Sequence, residues 1–235
     1  MNPIVDQVRL RLNESADPAV RESGQRFFKE EVRLYGVQSA VVGRIARECF
    51  KLIRDLPKSE ILICCDRLWQ SGMMEETFVA CDWSYQLRTQ YQPSDFSVFE
   101  RWVHQNVSNW ASCDTLCNHT IGSFIDRYPA YLDNLKSWTP SSNRWDRRAA
   151  AVSLIIPARE GRYLEDIFRI ADQLLMDSDD LVRKGYGWML KAASQAHPEA
   201  VFDYVMSNKA RMPRTALRYA IEKMPADWKR QAMAK

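Results

Sequence analysis

A short pattern of basic residues followed by small ones recurs in the second half of the sequence. It reads RRAAA at 147–151, RKGYG at 183–187 and RTALR at 214–218, so successive copies begin 36 and 31 residues apart. Such spacings are typical of proteins that stack pairs of short helices, in which small residues let neighbouring helices approach. The pattern therefore predicts an all-α fold, a helical-repeat solenoid that forms an α-α superhelix.

Prolines and capping residues divide the remaining sequence into helices. Asn2-Pro3 and Asp17-Pro18 each place a capping side chain before a proline, which suits the first positions of a helix. Only 8 of the 235 residues are glycine, fewer than a sheet protein with many hairpins needs for its turns. We predict about fourteen short helices and no strand. One of these helices spans residues 18–33, and all of them belong to a single domain over residues 1–235.

The charge balance and the cysteines indicate the setting in which the protein works. The net charge is +3 and the pI is about 8.5, values that allow a nucleic-acid partner without requiring one. The N-terminal residues lack the apolar stretch of a signal peptide, and no window has the composition of a transmembrane helix. The six cysteines fall within apolar helical patterns, as reduced packing residues do. We expect a cytoplasmic protein without a membrane partner.

Cations cluster at or near the starts of the later predicted helices. They are Arg144, Arg147, Arg148, Arg183, Lys184, Lys209, Arg211, Arg214 and Arg218. Any single basic pair is best explained as a solvated helix face. Their recurrence near helix N-termini, where backbone N–H groups also favour anions, predicts a basic concave groove. Duplex DNA is the partner that such a groove would bind.

An aromatic residue and an acid lie four positions apart at the predicted start of one helix. Trp110 and Asp114 would share one side of that helix, with an aromatic face beside a carboxylate. The residues alone favour a structural role for Asp114, that of a first-turn acid complementing the helix dipole. Cys113, Cys117 and His119 supply only three zinc ligands, and His119 points away from the face that the cysteines share. No metal site is predicted there.

These residues are part of a longer series that resembles a known family, the AlkD-type alkylpurine DNA glycosylases. The similar residues, in the same order and at similar spacing, are Asn109-Trp110 with Asp114, Trp145 with Arg148-Ala149-Ala150, and Gly187-Trp188. Nearer the N-terminus, the segments FFK at 27–29 and LYGVQ at 34–38 are similar to the family's opening helical pair. The segments LW at 68–69 and FVA at 78–80 are similar to its next unit. The resemblance covers nearly the whole chain.

The resemblance implies a fold and roles for individual residues. The fold would be a HEAT-like solenoid whose concave groove holds duplex DNA, without a metal or an organic cofactor. Asp114 would be the catalytic carboxylate, with Trp110 and Trp188 flanking the deoxyribose of the damaged nucleotide. Arg148 would contact a phosphate, and Phe27 and Gln38 would also contact DNA. The recurrent basic pattern adds to these DNA-binding residues Arg144, Arg147, Arg183, Lys184, Arg211 and Arg214. The chain departs from the family member at Ala111, where that protein has an acid, and at Phe27, where it has a tyrosine.

The implied reaction is hydrolysis of the N-glycosidic bond of cationic alkylated purines, N3-methyladenine and N7-methylguanine, in base excision repair. A cationic purine is already a good leaving group, so one carboxylate can suffice where glycosidases commonly use two. No lysine accompanies Trp110 and Asp114, so a monofunctional enzyme without a lyase step is expected. One protomer can supply the whole groove, which favours a monomer.

Other interpretations stay open at the level of sequence. The chain could be a non-catalytic HEAT-like module that binds damaged or structured DNA, or a protein-binding scaffold, for which an apolar or acidic groove is expected. Arg148 could pair with an acidic neighbour, and Gln38 could cap the helix that begins near Ser39. Five tryptophans are predicted to serve packing, and Trp145 is left unassigned. These five are Trp69, Trp83, Trp102, Trp138 and Trp228.

Overall fold

A computed structural model describes residues 3–234 of the chain. Over this range the structure consists of helices and connecting segments without a strand, so the prediction of an all-α fold is confirmed. The chain divides into two compact units between Leu116 and Cys117. The single domain over residues 1–235 stays a prediction. No helix in the described range is long and apolar enough to span a membrane.

The first unit centres on helix α5, which contacts α1, α3, α4 and α7. Most of its side chains are buried among those of the neighbouring helices. The indole N–H of Trp83 on α5, for example, donates to the carbonyl of Ala46 at 2.9 Å. The α-helices described in this unit are α1 (Pro3–Glu14), α2 (Pro18–Gln25), α3 (Ser39–Ile53), α4 (Lys58–Gln70), α5 (Met74–Gln86), α6 (Phe96–Gln105) and α7 (Trp110–Thr115). Short 3-10 helices occupy Arg88–Gln90 and Pro93–Asp95, and a π-helical segment, Leu116–Ile121, follows α7.

Helix α2 ends at Gln25, and the predicted helix over residues 18–33 is therefore wrong beyond that point. Its start is correct, because the Asp17 carboxylate caps it by accepting from the backbone N–H of Ala19 at 2.8 Å. The other predicted cap, Asn2, lies outside the described residues. Residues 26–38, called the strap below, form no helix. The Gln25 side chain satisfies two backbone groups of the strap, and Gly36 has a φ of +90° that a helix cannot contain.

In the second unit, α13 contacts both α10 and α15, and these three helices carry the three copies of the basic-then-small pattern. A Cβ added at Gly187 would lie 2.8 Å from the carbonyl oxygen of Ala216 on α15, so a small residue is what allows this close approach. The α-helices described here are α8 (Gly122–Arg127), α9 (Leu132–Trp138), α10 (Arg144–Val152), α11 (Ile155–Arg159), α12 (Leu164–Leu174), α13 (Asp180–Ala193), α14 (Pro198–Asn208), α15 (Arg214–Ala220) and α16 (Ala226–Met233).

The packing residues behave as the sequence predicts. All six cysteines are buried free thiols. Trp69, Trp83, Trp102 and Trp138 are buried, with Trp69 stacked on Trp102 at a centroid distance of 5.9 Å, and Trp228 stacks on Phe202 at 4.5 Å. Trp145, which the sequence left unassigned, is also buried and carries the guanidinium of Arg144 over its ring at 4.7 Å.

Candidate functional site

Helix α7 presents Trp110 and Asp114 from its first turns, as the sequence predicts. It begins directly after Asn109, whose side-chain oxygen accepts from the backbone N–H of Ser112 at 2.9 Å and caps the helix. Trp110 and Asp114 are both half-buried. Residues four apart lie on the same side of a helix, so an indole and a carboxylate reach one partly exposed surface together.

The opposite side of α7 is anchored in the core of the first unit. Ser112 and Cys113 are buried, and the Ser112 hydroxyl is 3.1 Å from the hydroxyl of Thr77 on α5. The Thr115 hydroxyl donates to the carbonyl of Ala111 at 2.8 Å, which ties the end of the helix to its own first turn. The anchoring restricts rotation of α7 and thereby fixes the direction in which Trp110 and Asp114 project.

The strap supplies aromatic neighbours to Trp110. The ring of Phe28 stacks on the indole with centroids 5.3 Å apart and an interplanar angle of 24°. The indole N–H of Trp110 points at the carbonyl of Phe27 at 3.4 Å, and the Phe27 ring is 72% exposed. The structure therefore brings Phe27 together with Trp110, whereas Gln38 lies at the other end of the strap. Gln38 is exposed and precedes α3 without a side-chain capping bond, so the capping interpretation of its side chain is wrong.

A π-helical segment that the sequence did not predict begins immediately after α7. Leu116–Ile121 has the wider hydrogen-bonding pattern of a π-helix, which requires an extra residue in the turn. Such segments are rare and occur frequently at functional sites. Its side chains follow the apolar pattern of an ordinary helix, so the hydrophobic periodicity carries no signal that distinguishes the two.

In the second unit, Arg148 and Trp188 lie on the neighbouring helices α10 and α13. Arg148 is only 5% exposed and its guanidinium donates to the carbonyl of Leu181, in the first turn of α13. Gly185 packs beside this side chain, and a Cβ there would make van der Waals contact with the Arg148 Cγ at 3.4 Å. Trp188 follows on the same helix and is half-buried. Arg148 thus joins the two helices, and little of its surface is exposed.

Besides Arg148, four more of the predicted DNA-binding cations on α10 and α13 already have acidic or carbonyl partners. Arg147 donates to the Asp177 carboxylate from Nε at 2.6 Å and from Nη2 at 3.3 Å. Arg183 donates to the backbone carbonyl of the same aspartate at 2.5 Å. Arg144 pairs with Asp179 at 3.2 Å. Lys184 pairs with Asp180 at 2.8 Å, a hydrogen bond that raises the pKa of the lysine. A phosphate would have to compete with these carboxylates.

The remaining basic residues lie near the end of the chain. Arg211 and Arg218 are exposed. Arg214 is also exposed, and one of its nitrogens donates to the carbonyl of Met233 at 3.2 Å. Lys209 donates to the carbonyls of Gln231 and Ala234, both at 3.1 Å. These two cations cap the C-terminus of α16, where positive charge is favourable.

Comparisons with known proteins identify the family and the fold of the chain. The model of a family described as DNA alkylation repair enzyme matches residues 8–224. Among solved structures, the chain is similar to a predicted DNA alkylation repair enzyme from Enterococcus faecalis, with a TM-score of 0.80 and 17% identity. The match covers 90% of this chain and 98% of that one, and at this identity it establishes the shared fold. No curated protein matches the sequence.

Proposed function

Because this chain belongs to the DNA alkylation repair enzyme family, we propose that it is a monofunctional DNA glycosylase that hydrolyses the N-glycosidic bond of cationic alkylated purines in duplex DNA. The substrates are N3-methyladenine and N7-methylguanine. The observation that carries the proposal is the projection of Trp110 and Asp114 from one partly exposed side of an anchored helix. The enzyme acts as a monomer and needs neither a metal nor an organic cofactor.

The proposed chemistry uses one carboxylate. As the bond between the sugar C1′ and the purine nitrogen breaks, its electron pair goes to the base, which leaves neutral, and positive charge develops on the deoxyribose. Asp114 stabilises that charge electrostatically. Water then adds to C1′ and loses a proton to the carboxylate or to solvent, which leaves an abasic site and the free base.

Aromatic faces account for the preference for a charged lesion. A cation over an indole gains about 0.5–2 kcal/mol, an interaction that a neutral base lacks. Trp110 is the ring closest to Asp114 in sequence, and we assign Trp188 the same role. The charge on the sugar rises as the charge on the base falls, so such rings favour the transition state as well as the lesion.

Affinity for DNA would come mainly from contacts with the phosphate backbone. We assign these contacts first to Arg211 and Arg214, which are exposed, and to Gln38 in the strap, and we assign the exposed ring of Phe27 an apolar contact with the DNA. Arg148 and the four cations Arg144, Arg147, Arg183 and Lys184 would contribute to the extent that DNA displaces or shares their present partners. Each phosphate contact that forms makes binding more sensitive to salt.

The test measures release of free base from a duplex that contains N7-methylguanine, under single-turnover conditions. Wild type is compared with Asp114→Asn and with Asp133→Asn, a matched control in which an exposed acid in the first turn of α9 loses its charge. We expect Asp114→Asn to release base about 100- to 1,000-fold more slowly. The control is expected to keep the wild-type rate, and all three proteins are expected to bind DNA.

Two results would count against the proposal. Wild type that releases no base above background, but binds duplex DNA in a salt-dependent manner, would be a non-catalytic DNA-binding module. Equal rates for Asp114→Asn and wild type would remove Asp114 from the mechanism even if base is released.

A further inference from the structure

Three consecutive buried residues in the first turn of α5 hold two different parts of the first unit. Glu75 and Glu76 are 2% and 1% exposed and face the strap, and Thr77 is 4% exposed and contacts Ser112 of α7. One helical turn therefore fixes both the strap and the helix that carries Trp110 and Asp114. A displacement of either part relative to this turn changes how the strap meets α7.

Glu75 fastens the strap through its main chain. One carboxylate oxygen accepts from the backbone N–H groups of Gly36 at 2.8 Å and Val37 at 3.1 Å, and the other accepts from that of Tyr35 at 3.1 Å. A segment without helix or strand has no other regular partners for these donors, and buried N–H groups are costly to leave unpaired. Hydrogen bonds to a carboxylate are also stronger than those between neutral groups.

Further hydrogen bonds hold the part of the strap between Gly36 and Phe28. The Arg33 guanidinium donates to the carbonyl of Ser71 at 2.8 Å, and the Arg33 carbonyl accepts from the N–H of Met74 at 3.0 Å. The Gln25 side chain donates to the carbonyl of Glu30 and accepts from the N–H of Val32. These two hydrogen bonds join this part of the strap to the end of α2. Phe28, the residue that stacks on Trp110, lies near the other end of the strap, where its N–H donates to the carbonyl of Gln25 at 3.0 Å.

We propose that Glu75 is a positioning residue for the glycosylase reaction: it holds the strap so that Phe28 covers one face of Trp110 and sets the plane of the indole. The inference rests on the proposed function, since Trp110 matters only if its ring meets the substrate. Glu75 itself contacts neither DNA nor the lesion. Its effect on the reaction passes through Phe28, and that dependence is what a double substitution measures.

The test uses five full-length proteins: wild type, Glu75→Gln, Phe28→Ala, the double variant, and Asp95→Asn. Asp95 is the matched control, because it is a buried carboxylate of the same unit that accepts from a backbone N–H, that of Gln92 at 2.8 Å, away from the strap. We expect Glu75→Gln and Phe28→Ala each to slow single-turnover release of N7-methylguanine by about 10- to 100-fold. The double variant is expected to be no slower than Phe28→Ala, and Asp95→Asn is expected to match wild type.

Hydrogen exchange provides a second readout that does not need catalysis. Amides of residues 26–38 are expected to exchange faster in Glu75→Gln than in wild type and Asp95→Asn. Three results would each overturn the inference. Glu75→Gln could release base at the wild-type rate, the double variant could be slowed by the product of the two single effects, or the amides of the strap could exchange at an unchanged rate. If wild type releases no base, the proposed function fails. The link from Glu75 to the strap is then judged by exchange alone, supported by faster exchange and refuted by no change.

Discussion

Replacement of Gly187 by alanine tests whether the close approach of α13 and α15 depends on a missing side chain. An added Cβ would lie 2.8 Å from the carbonyl oxygen of Ala216, 2.8 Å from the Cβ of Tyr219 and 3.1 Å from the Cα of Ala216. Carbon atoms in favourable contact are about 3.5–4.0 Å apart. The atoms that would be struck belong to the backbone or to Cβ, so no side-chain rotation relieves the overlap and α15 has to move.

The expected loss of stability follows from two opposing effects. Alanine favours a helix over glycine by about 1 kcal/mol, and overpacking of a well-packed core costs about 1–3 kcal/mol. Because the backbone of a neighbouring helix must shift, the cost lies toward the upper end. The free energy of unfolding should therefore fall by about 1–2 kcal/mol, which lowers the urea midpoint by roughly half a molar for a slope of 2–3 kcal/mol per molar.

Gly43→Ala supplies the matched control. Gly43 lies inside α3, and an added Cβ would meet only the far end of the Arg47 side chain at 3.3 Å. That side chain can move, so the same chemical change should raise the free energy of unfolding by about 0.5–1 kcal/mol. Urea titrations followed by far-UV circular dichroism compare the three proteins. If Gly187→Ala is as stable as wild type, or gains stability as Gly43→Ala does, the explanation of the glycine by helix contact is refuted.

Two further predictions concern the strap and the basic residues. Burial, together with the hydrogen bond to Glu76, raises the pKa of Tyr35 to about 12. The folded pKa thus exceeds the unfolded value of about 10, and the stability from this tyrosine, complete below pH 10, is lost as the pH rises through 12. Between pH 9 and 12 the free energy of unfolding of wild type, measured by urea titration, should fall by roughly 1–2 kcal/mol more than that of Tyr35→Phe. This difference is smaller than the full pKa shift would give because Tyr35 keeps some contact with solvent. Equal losses in the two proteins would contradict the prediction. Arg147→Ala should lower the free energy of unfolding by about 2–4 kcal/mol, because the Asp177 side chain, 7% exposed, loses its partner. Arg211→Ala, at an exposed cation assigned above to the DNA backbone, should change it by less than about 0.5 kcal/mol while weakening DNA binding, and similar stability losses in both variants would refute the distinction.

Local sequence signals predict those parts of the fold whose causes are local. Asp17 caps α2 and Asn109 caps α7 through contacts within three residues, so both helix starts have local causes, and the start of α2 is predicted correctly. The repeat at 147, 183 and 214 likewise identifies three helices that pack together, and its glycine at 187 allows the close approach of α13 and α15. Buried tryptophans follow from the apolar patterns around them.

The strap could not be predicted in this way because the group that holds it is remote in sequence. Residues 26–33 have a composition compatible with a helix, and Glu75, the acid that fixes the main chain at 35–37, lies about forty residues away. The pairing of Arg147 with Asp177 is also remote, since the partners lie 30 positions apart. Sequence reasoning identifies such cations as a basic series, but it cannot tell a cation with an internal partner from one that faces solvent.

The hydrogen bonds that Glu75 makes to the strap do not depend on the side chains of the residues it holds. Glu75 accepts from the backbone N–H groups of residues 35–37, and every residue except proline has such a group. These hydrogen bonds therefore do not require particular side chains at the three positions. Gly36 is the exception, since a Cβ there would lie 2.5 Å from the carbonyl oxygen of Asp17. A segment held by its main chain can acquire new surface chemistry without losing its place. Evolution or design can therefore alter what lies beside Trp110 by exchanging residues such as Phe27, while the scaffold beneath stays the same.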